Sequence, residues 1–168
     1  MWVFDATPLI YLATVDRVGY VRQLRGRRVI PARVYDEVVT RGLEEGYPDA
    51  RRLERAVENS EFEVQTVEET ALTDRLQQNP TLSDADIAVL TCAATKDGTA
   101  VMDEAAGRSA AAVEGIETRA TAYLVCSLAK QGKIETAAAR ETVDAMVDAG
   151  WYCAPDLYAK IVRTLESL

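Results

Sequence analysis

Histidine is absent from the 168 residues, and lysine occurs four times, as Lys96, Lys130, Lys133 and Lys160. The first absence excludes histidine acid–base chemistry and most zinc sites. Any catalysis falls to carboxylates or hydroxyls. Cysteine is scarce as well: Cys92, Cys126 and Cys153 are odd in number, widely spaced and set among apolar residues. That pattern fits reduced thiols in a cytoplasmic protein, not a disulfide framework or a zinc site. No run of about 18 apolar residues is present, so no membrane span is encoded. The opening lacks the basic flank and long apolar stretch of a secretory leader, and its apolar residues serve better as a first strand.

Acid, in contrast, is plentiful. Twenty-seven Asp and Glu face 19 Lys and Arg, a formal charge of −8. An acid-rich, alanine-rich and lysine-poor chain suggests a salt-adapted cytoplasm, where screening makes a high net charge tolerable. The same charge argues against a nucleic-acid partner. Against that stands a cluster of arginines, Arg22, Arg25, Arg27, Arg28 and Arg33, the best candidates for contacts to backbone phosphates. Their other reading is a solubilising surface that offsets nearby acids.

Trp2 to Phe4 reads as a buried strand that delivers Asp5 at its end, with Thr7 and Pro8 as N-cap and first residue of the next helix. Helical spacing over Leu9–Leu12 and Val18–Leu24 is broken around Asp16. Arg27–Ile30 is a second strand, and Pro31 opens a helix, residues 32–39, running to Gly42 and Gly46. Pro48 opens another. Phe62, Val64 and Val67 alternate with polar residues as in a half-buried strand. A polar helix at 72–76, a strongly apolar one from Ser83 to Gly98, a strand from Thr99 to Met102, and helices at 105–113, 120–130, 136–147 and 155–168 complete the chain. Gly132 and Gly150 are plausible stops. Strands alternating with helices predict an α/β fold with a mostly parallel sheet. The 168 residues read as one domain, with an α/β core over about 1–118 and C-terminal helices over about 119–168 packed on it.

In an open α/β sheet, functional groups collect beyond the carboxyl ends of the strands, which is where Asp5 is expected. Three further sets of acids start helices or end strands: Asp36/Glu37, Asp84/Asp86 and Asp103/Glu104. Each has a plain structural reading. Asp5 ends a strand, Asp103 caps a helix, Ser83 and Asp86 form a capping box, and Asp36 and Glu37 lie on a solvated face. Periodicity separates one of them. Asp86, Leu90 and Ala93 fall at i, i+4 and i+7, so Asp86 projects along an apolar stripe, while Asp84 sits about 160° around the helix. An acid on an inner face is costly unless it is paired or binds a cation. For Asp36 against Glu37 the helical wheel does not decide.

Four motifs in order resemble the PIN-domain superfamily, the nuclease-like group that includes VapC toxin ribonucleases. They are Asp5 with Thr7 after the first strand; Glu37 within Ile30-Pro31-Ala32-Arg33-Val34-Tyr35-Asp36-Glu37-Val38; Asp86 in the helix after Leu82-Ser83; and Asp103 in Val101-Met102-Asp103-Glu104-Ala105-Ala106-Gly107-Arg108. Asp5-Ala6-Thr7-Pro8-Leu9-Ile10, the Gly107-Arg108 pair and the Gly150-Trp151-Tyr152 to Leu157-Tyr158 ending are similar to a prokaryotic PIN subfamily of largely uncharacterised function. Asp86 stands where that subfamily often has Glu.

The resemblance implies a three-layer α/β/α fold and metal-dependent hydrolysis of RNA, with an antitoxin as a partner if the chain is a toxin. The alternative is a PIN-fold binding module with weak or no hydrolysis. Under the enzyme reading, Asp5, Asp86 and Asp103 are the expected ligands of Mg²⁺ or Mn²⁺, hard cations that prefer oxygen. Glu37 is expected to hold a second ion or orient water. Thr7 is expected to hold a ligand carboxylate or a water, or else to cap its helix. Glu104 is a supplementary acid. Arg108 contacts substrate phosphate or pairs with Glu104 at i, i+4. PIN proteins often dimerise. The stripe Leu157, Ile161, Leu165 and Leu168 therefore reads either as packing on the chain's own sheet or as a partner-helix face. Trp151 and Tyr152 read as anchors of the last helix.

Overall fold

The computed structural model describes residues 1–168. Five strands form one all-parallel sheet: β1 (Trp2–Phe4), β2 (Arg28–Pro31), β3 (Glu63–Gln65), β4 (Thr99–Val101) and β5 (Thr118–Arg119), in the order β3-β2-β1-β4-β5. The central strands are short apolar runs, as strands covered on both faces must be: Val3, Phe4, Val29, Ile30, Ala100 and Val101 are fully buried. At the β3 edge the expected alternation fails. Phe62 is buried edge-on against Phe4, with ring centroids 5.2 Å apart, but Val64 is exposed. Strand β5, two residues held by pairing with β4, carries no pattern that the sequence betrays.

From β1 the chain passes through α1 (Ala6–Thr14) and a 3₁₀ segment (Val18–Gln23) to β2. It continues through α2 (Ala32–Tyr35), a π-helical turn (Asp36–Thr40), α3 (Arg41–Glu44) and α4 (Pro48–Glu58) to β3. Both moves run the same way across the sheet. The chain then reverses, through α5 (Ala71–Gln77) and α6 (Asp84–Thr95) to β4, and through α7 (Ala105–Val113) to β5. Right-handed crossovers place the two sets of helices on opposite faces, which gives the three-layer α/β/α architecture. The reversal falls between β1 and β4. In a doubly wound sheet that is where a crevice opens at the carboxyl ends.

Helices α8 (Thr121–Lys130), α9 (Thr136–Asp148) and α10 (Pro155–Glu166) build a second apolar cluster, including Val125, Val143, Met146, Trp151, Ile161 and Leu165, with Tyr11 of α1 and its C-cap Val15 against it. The α10 stripe thus packs on neighbouring helices and not on the sheet. Ile161 and Leu165 are buried, while Leu157 and Leu168 are 41% and 50% exposed. Trp151 is an anchor; Tyr152 is 85% exposed and is not. No helix is long and apolar enough to cross a membrane. The three thiols are free, and burial pushes each of them above its ordinary pKa.

Two helix starts differ from expectation. Asp5, extended at φ −82° and ψ 170°, is itself the N-cap of α1, so Thr7 and Pro8 are the second and third helical residues. A proline is tolerated there because first-turn N–H groups have no helical acceptor. For the same reason Pro31 ends β2 and caps α2 instead of opening it.

Candidate active site

Asp5 leaves β1 at the crevice, where its N–H donates to the Val101 carbonyl of β4 at 3.0 Å. This bond ties the two strand ends on either side of the topological reversal. The side chain is 3% exposed. Its carboxyl is pushed up to about 7, chiefly by burial; the Ala6 N–H opposes this, and Asp86, Glu104 and Glu37 add to it. A carboxylate held among other carboxylates in a dry place favours its neutral form.

Asp86 arrives from α6, whose start the sequence specifies by a capping box. Ser83 Oγ accepts from the Asp86 N–H at 3.1 Å, and Asp86 Oδ2 accepts from the Ser83 N–H at 2.8 Å. The structural role and the inward position thus coexist: Asp86 caps the helix and is 8% exposed, whereas Asp84 points outward to Arg33. Glu37 comes from the π-helical turn and Glu104 from the N-cap of α7, both exposed. Thr7 Oγ1 donates to Glu104 Oε1 at 3.4 Å, a long bond, in place of capping α1.

Asp5, Thr7, Glu37, Ser83, Asp86 and Glu104 line one cleft of about 290 Å³, and no lysine or arginine is among its lining residues. A larger hollow of about 400 Å³ lies beside β3, but it gathers a single acid, Glu68, together with Lys96. Volume does not mark the site; uncompensated charge does.

Asp103, expected as a third ligand, does not line this cleft. Its Oδ1 accepts from the Thr121 N–H at 2.8 Å, and its Oδ2 accepts from Thr121 Oγ1 at 2.7 Å and from the Trp151 indole N–H at 3.1 Å. Adjacent residues leaving a strand diverge: Asp103 turns toward the C-terminal helices, and Glu104 faces Asp5. Thr121 and Trp151, distant in sequence, gave no prior signal as its partners. Gly107 lies over Met102, where a Cβ would come within 2.7 Å of the methionine Cε, so a larger residue there would require the methionine tip to shift. Arg108 is exposed and makes no ion pair with Glu104.

The arginine cluster divides. Arg22 pairs with Glu61 at 3.1 Å and Arg27 with Glu63 at 2.7 Å, while Arg28 donates to the carbonyls of Glu61, Leu24 and Gly26. The Arg25 carbonyl accepts from the Trp2 indole at the start of β1. All four lie at the amino end of the sheet, about 10 Å of strand from the acids. Arg22 and Arg27 are thus offset by surface glutamates. Arg33 alone follows β2 to the carboxyl end. There a groove of about 220 Å³ shares Glu37, Ser83 and Ala85 with the acidic cleft and is also lined by Arg33, Asp36, Arg41 and Asp84. Arg41 was not anticipated, although its i, i+4 spacing from Glu37 would have exposed it.

No three carboxylate or thiol groups stand close enough to chelate one metal ion directly. The chemistry of the donor set nonetheless fits a hard divalent cation that keeps most of its waters, since Mg²⁺ commonly takes only one or two carboxylates. A buried acid at about 7 beside three more, with no cation lining the cleft, is a donor set short of positive charge. Asp5 and Asp86 are the two buried oxygen donors, and Glu37 and Glu104 are the flexible ones.

No curated protein and no solved structure matches the chain. A family model described as a PIN domain (DUF3368) matches residues 1–167. With an all-parallel five-stranded sheet between two helical layers and a match over essentially the whole chain, this protein belongs to the PIN-domain family.

Proposed function

We propose that this chain, which carries throughout a fold whose members are in general nucleases, is a metal-dependent endoribonuclease that hydrolyses RNA phosphodiester bonds in the cleft of Asp5, Glu37, Asp86 and Glu104. The observation that carries this reading is Asp5, buried at the topological reversal among three other carboxylates with no cation beside it.

In this reading Asp5 and Asp86 hold Mg²⁺ or Mn²⁺, with Glu104 or Glu37 completing the set. When bound, the ion supplies an activated water and offsets charge on the phosphate. The Ser83 N–H holds the Asp86 carboxylate in one orientation. With an ion held there, Asp5 would stand as the charged carboxylate, its proton given up to solvent and its high pKa lowered. Glu37, exposed on the rim, accepts a proton from water. Thr7 steadies Glu104 through its hydroxyl. Asp103 acts as a positioning residue: with both oxygens held by Thr121 and Trp151, it fixes the turn that presents Glu104.

Titration with Mn²⁺ and cleavage of labelled RNA test this directly. Wild type is expected to bind Mn²⁺ and cut, and Asp86→Asn to lose both. Cleavage that persists in Asp86→Asn would overturn the reading. One observation favours a second reading, a nucleic-acid- or protein-binding module: no three ligands converge for direct chelation. RNA binding with no metal-dependent cleavage would select it. The toxin role rests on the resemblance to VapC ribonucleases, and growth arrest on expression, relieved by Asp86→Asn, is its expected sign.

A further inference from the structure

Between α2 and α3 the helix widens into a π turn, Asp36–Thr40. Such turns are rare and concentrate at functional sites. Here the turn has a geometric effect. In a regular helix a four-residue step overshoots a full turn by about 40°, so residues at i, i+4 and i+8 spiral away from one another. A π turn closes on i→i+5. It holds more residues, and a four-residue step within it falls short. The step from Arg33 to Glu37, largely α, and the step from Glu37 to Arg41, largely π, therefore err in opposite directions, and Arg33 and Arg41 return to nearly one line with Glu37 between them. The groove lining bears this out, because all three side chains face it together.

This groove runs out of the acidic cleft through Glu37, Ser83 and Ala85. Arg33 and Arg41 are the cations that line it; neither the cleft nor its floor offers another. Both are exposed. Arg33 meets Asp84 at 3.4 Å, with 64% and 77% of the two side chains open to water. An exposed pair of that kind is weak and yields readily to a phosphate, which a guanidinium grips with two parallel hydrogen bonds. Arg41 makes no ion pair. Eight residues of helix separate the two, about 12 Å of rise, a spacing too wide for one small anion and suited to two phosphates of a strand that are not immediate neighbours.

From this we infer that Arg33 and Arg41 form a phosphate track, so that the ligand taken beside the cleft is a single-stranded polynucleotide chain whose backbone passes along the π-turned helix. The inference rests on the cleft being the site of phosphodiester cleavage, and it adds where the uncut strand lies.

The test is equilibrium binding of a fluorescein-labelled single-stranded RNA, with Ca²⁺ in place of Mg²⁺, across a series of salt concentrations. Arg33→Gln/Arg41→Gln is expected to weaken binding roughly ten- to hundredfold at low salt. The slope of log affinity against log salt should fall by about 1.4, for two phosphates at 0.7 each. Arg33→Lys/Arg41→Lys should retain most of the slope, because the charges persist, and Arg22→Gln/Arg27→Gln should match wild type. An unchanged slope in the glutamine pair, with circular dichroism showing a native fold, would overturn the track. If wild type binds RNA with this signature yet does not cut it with Mn²⁺, the track stands and the nuclease reading falls. If wild type does not bind RNA, both fall.

Discussion

At the amino end of the sheet, Arg22 and Arg27 each face a glutamate, and Arg28 is held by three carbonyl oxygens. At the carboxyl end, roughly 10 Å along the strands, Asp5, Glu37, Asp86 and Glu104 share a cleft whose lining includes no cation. The same two residue classes are thus combined at one end and segregated at the other. Paired exposed charges cost little and do little. Unpaired buried ones carry a standing electrostatic cost, which a fold tolerates where something else is to be bound. A finer contrast repeats the lesson. Asp5 and Asp103 leave adjacent strands, yet Asp103 accepts three hydrogen bonds, whereas Asp5 is pushed up to about 7.

The sharpest way to break this comparison is to remove the cleft's charge. Asp5→Asn or Asp86→Asn is expected to lower metal-dependent RNA cleavage by at least about a hundredfold, measured on a labelled substrate with Mn²⁺; loss of even a supporting partner of a metal ligand costs ten- to hundredfold. Stability should move in opposite directions for the two strand-end aspartates. Asp103→Ala orphans the Thr121 N–H and the Trp151 indole, each at about 1–3 kcal/mol, so urea unfolding should show a loss of roughly 2–5 kcal/mol. Asp5→Asn, measured without divalent ions at pH 8, should instead stabilise, by up to about 4 kcal/mol at about 1.4 per pKa unit.

The same group makes stability depend on pH. Asp5 has a higher pKa folded, about 7, than its ordinary value of 3.8. Between those limits the folded state binds more protons than the unfolded one, so stability falls as pH rises. Metal-free wild type is expected to lose stability from about pH 4 to about pH 7, a slope that Asp5→Asn flattens; identical melting profiles would refute the assignment. The smallest effect belongs to the other end of the sheet. Arg22→Gln and Arg27→Gln should change stability by less than about 1 kcal/mol and leave cleavage unaltered.

Much of this was legible in the chain. Short apolar runs ending in acids marked the strands, and a glycine or a proline marked most helix limits. The Ser83–Asp86 spacing gave both the start of α6 and the inward direction of Asp86, because capping and helical periodicity are local. What misled was also local reasoning. Asp103 and Glu104 are neighbours, and no pattern within the segment says which faces Asp5; partners 18 and 48 residues away, Thr121 and Trp151, decide it. Likewise the arginines from Arg22 to Arg33 look like one patch in sequence, but strand β2 runs between Arg28 and Arg33 and carries them to opposite ends of the sheet.

The sequence by itself determined four of the five strands and the helices between them, and supplied the acids, since hydrophobic period and capping act over a few residues. Only the tertiary structure decided which carboxylates meet, which arginines stand near them, and that a π turn aligns Arg33 with Arg41. Those outcomes depend on where crossovers place distant segments, and on the burial and pairing that follow, which no single stretch of the chain encodes.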